Sequence, residues 1–405
     1  MDRASVFGTD GWGFESLRAR LLHPAARDCI LAVEQALAGD PSATPDAALA
    51  KAVERLSDLY TVDRGRLARE QADAAHLAAK REYFLASDAP KVALALDECA
   101  ARSDAFARLA ALERVRVVDL GAGVGATSVG FLAWLAGARA ARGIARPVRV
   151  ELHAIELGVA AARAYEEAAR IAARAIGVEV AATVEARDFD RATLPESDLV
   201  LCQTALNELL IDERHSAATV DLVERWSRTA PLLVIEPALR TTTRALMALR
   251  DDILARGGLR VVAPCPHQGP CPMLAKPSDW CHEARRLEPT PRVAAIDRIV
   301  GRRDGRALFA FLATEPAGAA RTPASEASPT RLRILTEPLG SRGKTERVLC
   351  GSDGALHLVR LLDREVRDGN RAFLDLERGE TVSIEPPPER ARISPDALVG
   401  VHPRS

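Results

Sequence analysis

Aromatic residues make up only 4% of the 405-residue chain, which leaves few flat platforms on which single-stranded bases could stack. Net charge is equally scarce. Lys and Arg number 55 against 56 Asp and Glu, so no global positive field marks a nucleic-acid binder, and a DNA partner is not expected. The most apolar window, Val117 to Ala138, is broken by Asp119 and a series of glycines, which excludes a membrane span. Met1 to Glu15 is mixed and polar, without the apolar core of a secretory signal. The seven cysteines therefore read as residents of a reducing compartment, where clustered thiols serve metals more often than disulfides. The expected location is cytoplasmic, away from membranes.

What is present begins at Val117-Val118-Asp119-Leu120-Gly121-Ala122-Gly123-Val124-Gly125, a β-branched run ending in an acid and three alternating glycines, followed by an apolar helical pattern. This describes a strand turning sharply into a helix. Glycine is required where backbone must lie against a ligand, and a helix start presents free N–H groups to it. A dinucleotide turn would read Gly-x-Gly-x-x-Gly with an acid about twenty residues further on. Here the spacing is Gly-x-Gly-x-Gly, one acid precedes the glycines, and the next strand-end acid, Glu156, comes later. The pattern resembles motif I of the class I S-adenosylmethionine-dependent methyltransferases. That resemblance implies that Asp119, Gly121, Gly123, Gly125 and Glu156 hold the cofactor, with Glu156 on its ribose hydroxyls.

From Val115 onward strands and helices alternate, which predicts an α/β fold with a parallel, Rossmann-like sheet. The predicted strands are Val115–Asp119, Val148–Ile155, Val178–Ala186, Asp198–Cys202, Leu232–Glu236 and Leu259–Val262, with Ala307–Ala313 as a final antiparallel strand. Ligands in such sheets sit beyond the carboxyl ends of the strands. Asp188 and Gln203 lie there too and complete the cofactor-binding candidates. A helix is expected over Leu206–Trp226. The segment after the fourth strand carries Asn207 and Glu208 but no general base, nucleophile or Asn/Asp-Pro-Pro-aromatic signature, so no catalytic residue is assigned. Cys202, ending a buried strand, reads as core.

The expected organisation is an N-terminal helical region (1–111), an S-adenosylmethionine-binding Rossmann-like domain (112–262), a Cys-rich insertion (263–290), the end of the methyltransferase domain (291–315), a linker (316–330) and a small C-terminal β domain (331–405). Helical spacing runs through Leu17, Leu21, Ile30, Val33 and Leu37, then Ala47–Leu59 and Leu67–Leu85. Breaks fall at Gly39-Asp40-Pro41 and Asp63-Arg64-Gly65. Short alternating runs in the last region, Arg371–Leu376 among them, read as strands.

In the insertion, proline and cysteine replace the alternation: Ala263-Pro264-Cys265-Pro266-His267-Gln268-Gly269-Pro270-Cys271-Pro272, then Trp280-Cys281-His282. A segment so rich in proline cannot build helix or strand, and metal bonds can supply the order that packing does not. Thiolates suit zinc or an iron–sulfur centre. Cys265, Cys271 and Cys281 need a fourth ligand, for which His267, His282 and Cys350 are candidates.

Cys265 to Met273 and Trp280-Cys281-His282, downstream of the glycine turn, resemble the ribosome-associated methyltransferase-like family of the mitochondrial small ribosomal subunit and its bacterial relatives. The likeness runs from about Tyr83 to about Ile384 and includes Arg187-Asp188-Phe189, Leu206-Asn207-Glu208-Leu209, Glu236-Pro237 and Leu349-Cys350-Gly351. It implies a [4Fe–4S] cluster on Cys265, Cys271, Cys281 and Cys350, retained S-adenosylmethionine binding, and association with the small ribosomal subunit or its rRNA. Arg285, Arg286, Arg292, Arg298, Arg302, Arg303 and Arg306 are the candidates for a basic patch.

Overall fold

Apolar residues at helical spacing form α1 (Pro24–Ala38) and α2 (Ala47–Thr61), then α3 (Ala74–Ala79), a π turn (Lys80–Phe84) and α4 (Leu85–Ala100). The computed structural model describes residues 22–38, 47–61, 74–210, 214–302, 305–318 and 331–402. The breaks expected near Gly39 and Asp63, the leucines Leu17 and Leu21, and most of the 316–330 linker lie outside them. Ile30, Val33, Val53, Leu56, Val92 and Leu96 are buried in one core with Val117, Leu152 and Phe131, so these helices form a layer on one face of the sheet that follows. No helix among the described residues is long and apolar enough to cross a membrane.

That sheet contains β1 (Arg114–Leu120), β2 (Arg149–Ile155), β3 (Glu179–Glu185), β4 (Leu199–Gln203), β5 (Leu232–Pro237), β6 (Leu259–Ala263), β7 (Glu283–Arg286) and β8 (Arg306–Pro316). Its order is β3-β2-β1-β4-β5-β8-β6, with β7 also on β8. The first five strands are mutually parallel, while β8 runs antiparallel to β5, β6 and β7. This is the class I methyltransferase Rossmann-like sheet, with the expected antiparallel strand in place. The intervening helices are α5 (Ala126–Ala141), α6 (Val159–Ile176), α7 (Ala217–Trp226) and α8 (Arg240–Arg256), followed by α9 (Pro291–Ile299). The opposite face buries Trp226, Val223, Leu249 and Ile253 against Val118, Val200 and Val234. Each such fully buried side chain contributes about 1.5–3 kcal/mol relative to exposure. Helices α4 and α5 touch at backbone distance. A Cβ on Gly130 would stand 2.4 Å from the Ala89 carbonyl oxygen, so no larger residue fits.

The C-terminal residues build a second sheet from β9 (Leu332–Ile334), β10 (Leu339–Ser341), β11 (Lys344–Gly351), β12 (Leu356–Leu362), β13 (Thr381–Glu385) and β14 (Leu398–Val401), around a core of Ile334, Leu349, Leu361, Phe373 and Val382. Two expected elements differ. Arg371–Leu374 is a 3₁₀ turn rather than a strand. Asn370 organises it, accepting from the Arg367 N–H at 2.8 Å and donating to the Glu365 carbonyl at 3.0 Å. The single helix expected over Leu206–Trp226 is a 3₁₀ turn, Leu206–Glu208, and the later helix α7. Ser216 starts α7 as its N-cap, its Oγ accepting from the Thr219 N–H at 3.2 Å.

Candidate functional site

At the carboxyl end of β1 the chain makes three left-handed residues, with φ of 63° at Gly121, 53° at Gly123 and 98° at Gly125. Sterics explain why each is glycine, since an L side chain costs about 1–2 kcal/mol there. Their surroundings differ. A Cβ on Gly121 would meet Ala205 Cβ at 2.5 Å, whereas one on Gly123 would meet nothing within 4 Å. Gly121 is thus packed against the protein, and Gly123 faces open space. Helix α5 begins at once, its N-cap Gly125 offering no side-chain cap, so its first N–H groups and positive dipole end point to the same place.

Glu156, just past β2, reaches this turn. Its carboxylate accepts from the Gly123 N–H at 2.9 Å and from the Gly158 N–H at 2.8 Å. Asp188 is half-buried at the end of the β3 loop. The neighbouring Phe189 ring lies 3.9 Å from the Gly121 Cβ position. Asp119 is different in kind. It is wholly buried and accepts from Ser128 Oγ at 2.7 Å, which in turn bonds the Tyr165 hydroxyl at 2.8 Å. Burial pushes its pKa up to about 7, so the group supports the turn from beneath. Gln203 is also turned inward: its Oε1 accepts from Thr127 Oγ1 at 3.2 Å and its Nε2 donates to the Asp88 carbonyl at 3.2 Å. It ties α4 to the first turn of α5 at the end of β4.

Three neighbours escaped the sequence reading. Thr204, directly after β4, has φ 57°, a conformation costing about 1–3 kcal/mol for a non-glycine and concentrated at functional sites. Nothing in the string Gln203-Thr204-Ala205 signals it. Lys80, in the π turn, has its pKa lowered by burial and raised in part by the carboxylates of Glu156 and Glu208. Burial, then Asp88, Glu208 and Glu156, push the Tyr60 phenol up. The helical layer therefore contributes groups to the edge of the glycine turn.

The second feature is a cavity of about 50 Å³ whose lining includes Cys265, Cys271, Cys281 and Cys350. His267 and His282 line it as well, so location alone does not choose among the candidate fourth ligands. Burial pushes Cys271 up to about 11 and Cys350 up to about 12, and lowers His282 to about 3. Among the described residues, no group of three or more His, Cys, Asp or Glu side chains could hold a metal ion as it stands. Cys202, Cys29 and Cys99 are buried in the core, as expected for Cys202.

The proline-rich segment is ordered by arginines. Arg250 donates to the His267 and Gly269 carbonyls at 2.8 and 2.7 Å. Arg244 bonds the Lys276 and Asp279 carbonyls at 2.9 and 2.6 Å. Arg378, from the second sheet's domain, bonds those of His282 and Trp280 at 3.1 and 2.9 Å. Arg102 reaches the Pro264 carbonyl at 3.0 Å. Buried carbonyls without a ladder need such donors, and guanidinium forks supply several each.

The candidate basic patch does not form a free face. Arg285 is buried between Glu283 and Glu98, Arg286 pairs with Glu377, Arg292 with Glu82 and Arg306 with Glu337. Arg302 donates to the Tyr83 hydroxyl at 2.5 Å. Arg298 is exposed, and Arg303 lies outside the described residues.

Comparison with known proteins gives a family and several solved structures. The family described as Mitochondrial small ribosomal subunit Rsm22 matches residues 91–372, a span holding the glycine turn, Glu156 and all four cavity cysteines. No curated protein matches. Among solved structures, an S-adenosylmethionine-dependent methyltransferase from Geobacter sulfurreducens in complex with S-adenosyl-L-homocysteine is 17% identical, over 53% of this chain and 90% of its own, at a TM-score of 0.28. A Listeria monocytogenes protein assigned to the class I S-adenosylmethionine-dependent methyltransferases is 13% identical, over 74% and 90%, at 0.30. The P. horikoshii protein TYW2 in complex with MeSAdo is 12% identical, over 51% and 59%, at 0.25.

Proposed function

Because the chain belongs to the Mitochondrial small ribosomal subunit Rsm22 family, we propose that it is an S-adenosylmethionine-binding, methyltransferase-like protein of small-subunit maturation or translation. In this reading it carries a structural [4Fe–4S] cluster. The observation that carries the proposal is the family match, which spans both the glycine turn and the four-cysteine cavity.

The open side of Gly123 and the adjoining Glu156 carboxylate fit the cofactor. S-adenosylmethionine, when bound, supplies a methyl group on a cationic sulfur. Gly123 keeps a side chain out of its space, while Gly121 and Gly125 let the turn close against Ala205 and Tyr165. Glu156, whose carboxylate has lone pairs beyond the two backbone N–H bonds it accepts, holds the ribose hydroxyls. Asp188 borders the adenine side, while Asp119 and Gln203 act through the turn they support. Transfer to an aligned nucleophile draws on proximity, so a conspicuous base is not required.

The donor set also fits a cluster. Four thiols share a cavity of about 50 Å³, and a single water occupies roughly 10–15 Å³ on that measure, so the space suits several atoms better than one ion. Zinc, the alternative, needs its ligands converging at about 2.3 Å. Metal analysis separates that alternative, a zinc-stabilised small-molecule methyltransferase, from the cluster. Joining Cys350 on β11 to the insertion, the cluster would clamp the C-terminal sheet to α8.

A non-catalytic assembly factor is the second reading. Asn207 after β4 is buried, and its N–H is held by Glu236 at 3.0 Å, which leaves Glu208 as the exposed polar group of that segment. Anaerobic purification with iron, sulfide and zinc analysis, followed by sedimentation with small ribosomal subunits and transfer of labelled methyl to their RNA, tests all three. Cluster-loaded protein that never sediments with the subunit overturns the ribosomal reading. Sedimentation without methyl transfer selects the second one.

A further inference from the structure

We propose that Arg333 and Arg250 are the charge-balancing partners of an anionic thiolate centre in the cysteine cavity, an inference that rests on the cluster reading above. Both arginines line the cavity with the four cysteines. Arg333 is 1% exposed and Arg250 is 2% exposed, in a lining whose one acidic side chain is Glu283. A buried guanidinium stays protonated, and its burial is costly unless an anion answers it.

The anions present do not fully answer it. Arg333 is held by Glu98 at 2.5 Å and by Glu283. Those two carboxylates also serve Arg102 at 2.7 Å and Arg285 at 2.7 Å. Three guanidiniums thus share two carboxylates, and the network carries one positive charge in excess. Its members in the cavity lining are Glu283 and Arg333, the latter brought from β9 across the boundary between the two sheets. On the other wall Arg250 pairs with Asp251. The Asp251 carboxylate also accepts from the Cys271 N–H at 2.9 Å, so Arg250 and the backbone of Cys271 share one anion at the cavity wall. Neutral thiols would leave the excess positive charge of the Arg333 network without a counter-charge. A cluster bound by four thiolates is anionic, and supplies the counter-charge that the Arg333 network lacks.

The consequence is electrochemical. Reduction adds negative charge to the centre, so neighbouring cations favour it, and net charge is among the factors that set a cluster's potential. Removing either cation should move the midpoint potential to more negative values, while a lysine in its place should hold it near that of the unaltered protein. The test is dye-mediated redox titration of the anaerobically purified full chain, followed by visible absorption and electron paramagnetic resonance, for Arg250→Gln, Arg333→Gln and Arg333→Lys. Negative shifts in the Gln variants, with Arg333→Lys close to the parent, support the inference. Iron-loaded Gln variants that titrate at the parent potential overturn it and leave both arginines as braces of the backbone. Arg333→Gln leaves Glu98 and Glu283 to Arg102 and Arg285 alone. Should it fail to fold, Arg250→Gln decides the question alone. An unaltered protein without iron removes the cluster reading itself, and this inference with it, an outcome distinct from unshifted potentials.

Discussion

Gly121 and Gly123 stand two residues apart in the same left-handed conformation, yet alanine should affect them through different energies. At either site the backbone strain is about 1–2 kcal/mol. For Gly123→Ala that is the whole effect on stability, because its Cβ meets nothing within 4 Å. For Gly121→Ala the new methyl stands 2.5 Å from Ala205 Cβ, and overpacking adds about 1–3 kcal/mol, for a total of about 2–5 kcal/mol. Adding Ala205→Gly should recover the overpacking part and leave the strain. Binding should rank the other way. Gly123→Ala places a methyl in the proposed cofactor space and should weaken S-adenosylhomocysteine binding at least tenfold, a difference of about 1.4 kcal/mol. Urea unfolding measures the first quantity and titration calorimetry the second. A Gly123→Ala protein that binds as tightly as the parent would refute the cradle and leave the turn as ordinary βα geometry.

The remaining predictions concern metal, ribose and protons. Cys350→Ser should release iron and loosen the C-terminal sheet's domain from α8, seen as loss of visible absorption and earlier proteolysis near 316–330; unchanged iron content would remove Cys350 from the ligand set. Glu156→Ala should weaken cofactor binding and cost about 1–3 kcal/mol, because the N–H groups of Gly123 and Gly158 lose their acceptor; calorimetry indifferent to the change would take Glu156 out of the site. The pH dependence has two windows of opposite sign. Burial raises Asp119 from 3.8 to about 7, so stability from this group is present below about pH 4 and lost as pH rises through 7, and Asp119→Asn should flatten thermal unfolding between about pH 4 and 7. Burial of Glu98 is outweighed by Arg333, Arg102 and Arg285, which hold it at about 2 against 4.5. Its contribution is present above about pH 4.5 and lost as pH falls toward 2, so a Glu98→Gln protein should lack that acid-side decline.

Local order determined much of this protein. The glycine spacing after Val117-Val118-Asp119, the alternation of strand and helix patterns, and Glu156 at a strand end all follow from neighbours in sequence, because turn sterics and 2.0 or 3.6 periodicity are short-range effects. The Pro and Cys block was equally legible as a segment unable to build a ladder. Partnership was not. The same alphabet that suggested a basic patch in Arg285, Arg292 and Arg306 does not say that their charges face Glu283, Glu82 and Glu337. Those carboxylates come from β7, from the π turn and from the segment after β9. Asp119 and Glu156 look alike as strand-end acids, and only the packing of Tyr165 and Ser128 buries one while the Gly123 amide meets the other. Thr204 owes its strained φ to the closure of β4 against β5, where its N–H bonds the Ile235 carbonyl at 2.8 Å. Cys350 is far from Cys265 in the chain and reaches the same cavity because β11 is carried there by the second sheet. Sequence by itself therefore settled what each segment can be, through forces acting over a few residues. The tertiary structure alone decided which charges, thiols and backbone groups meet, because that depends on distant segments sharing one buried volume.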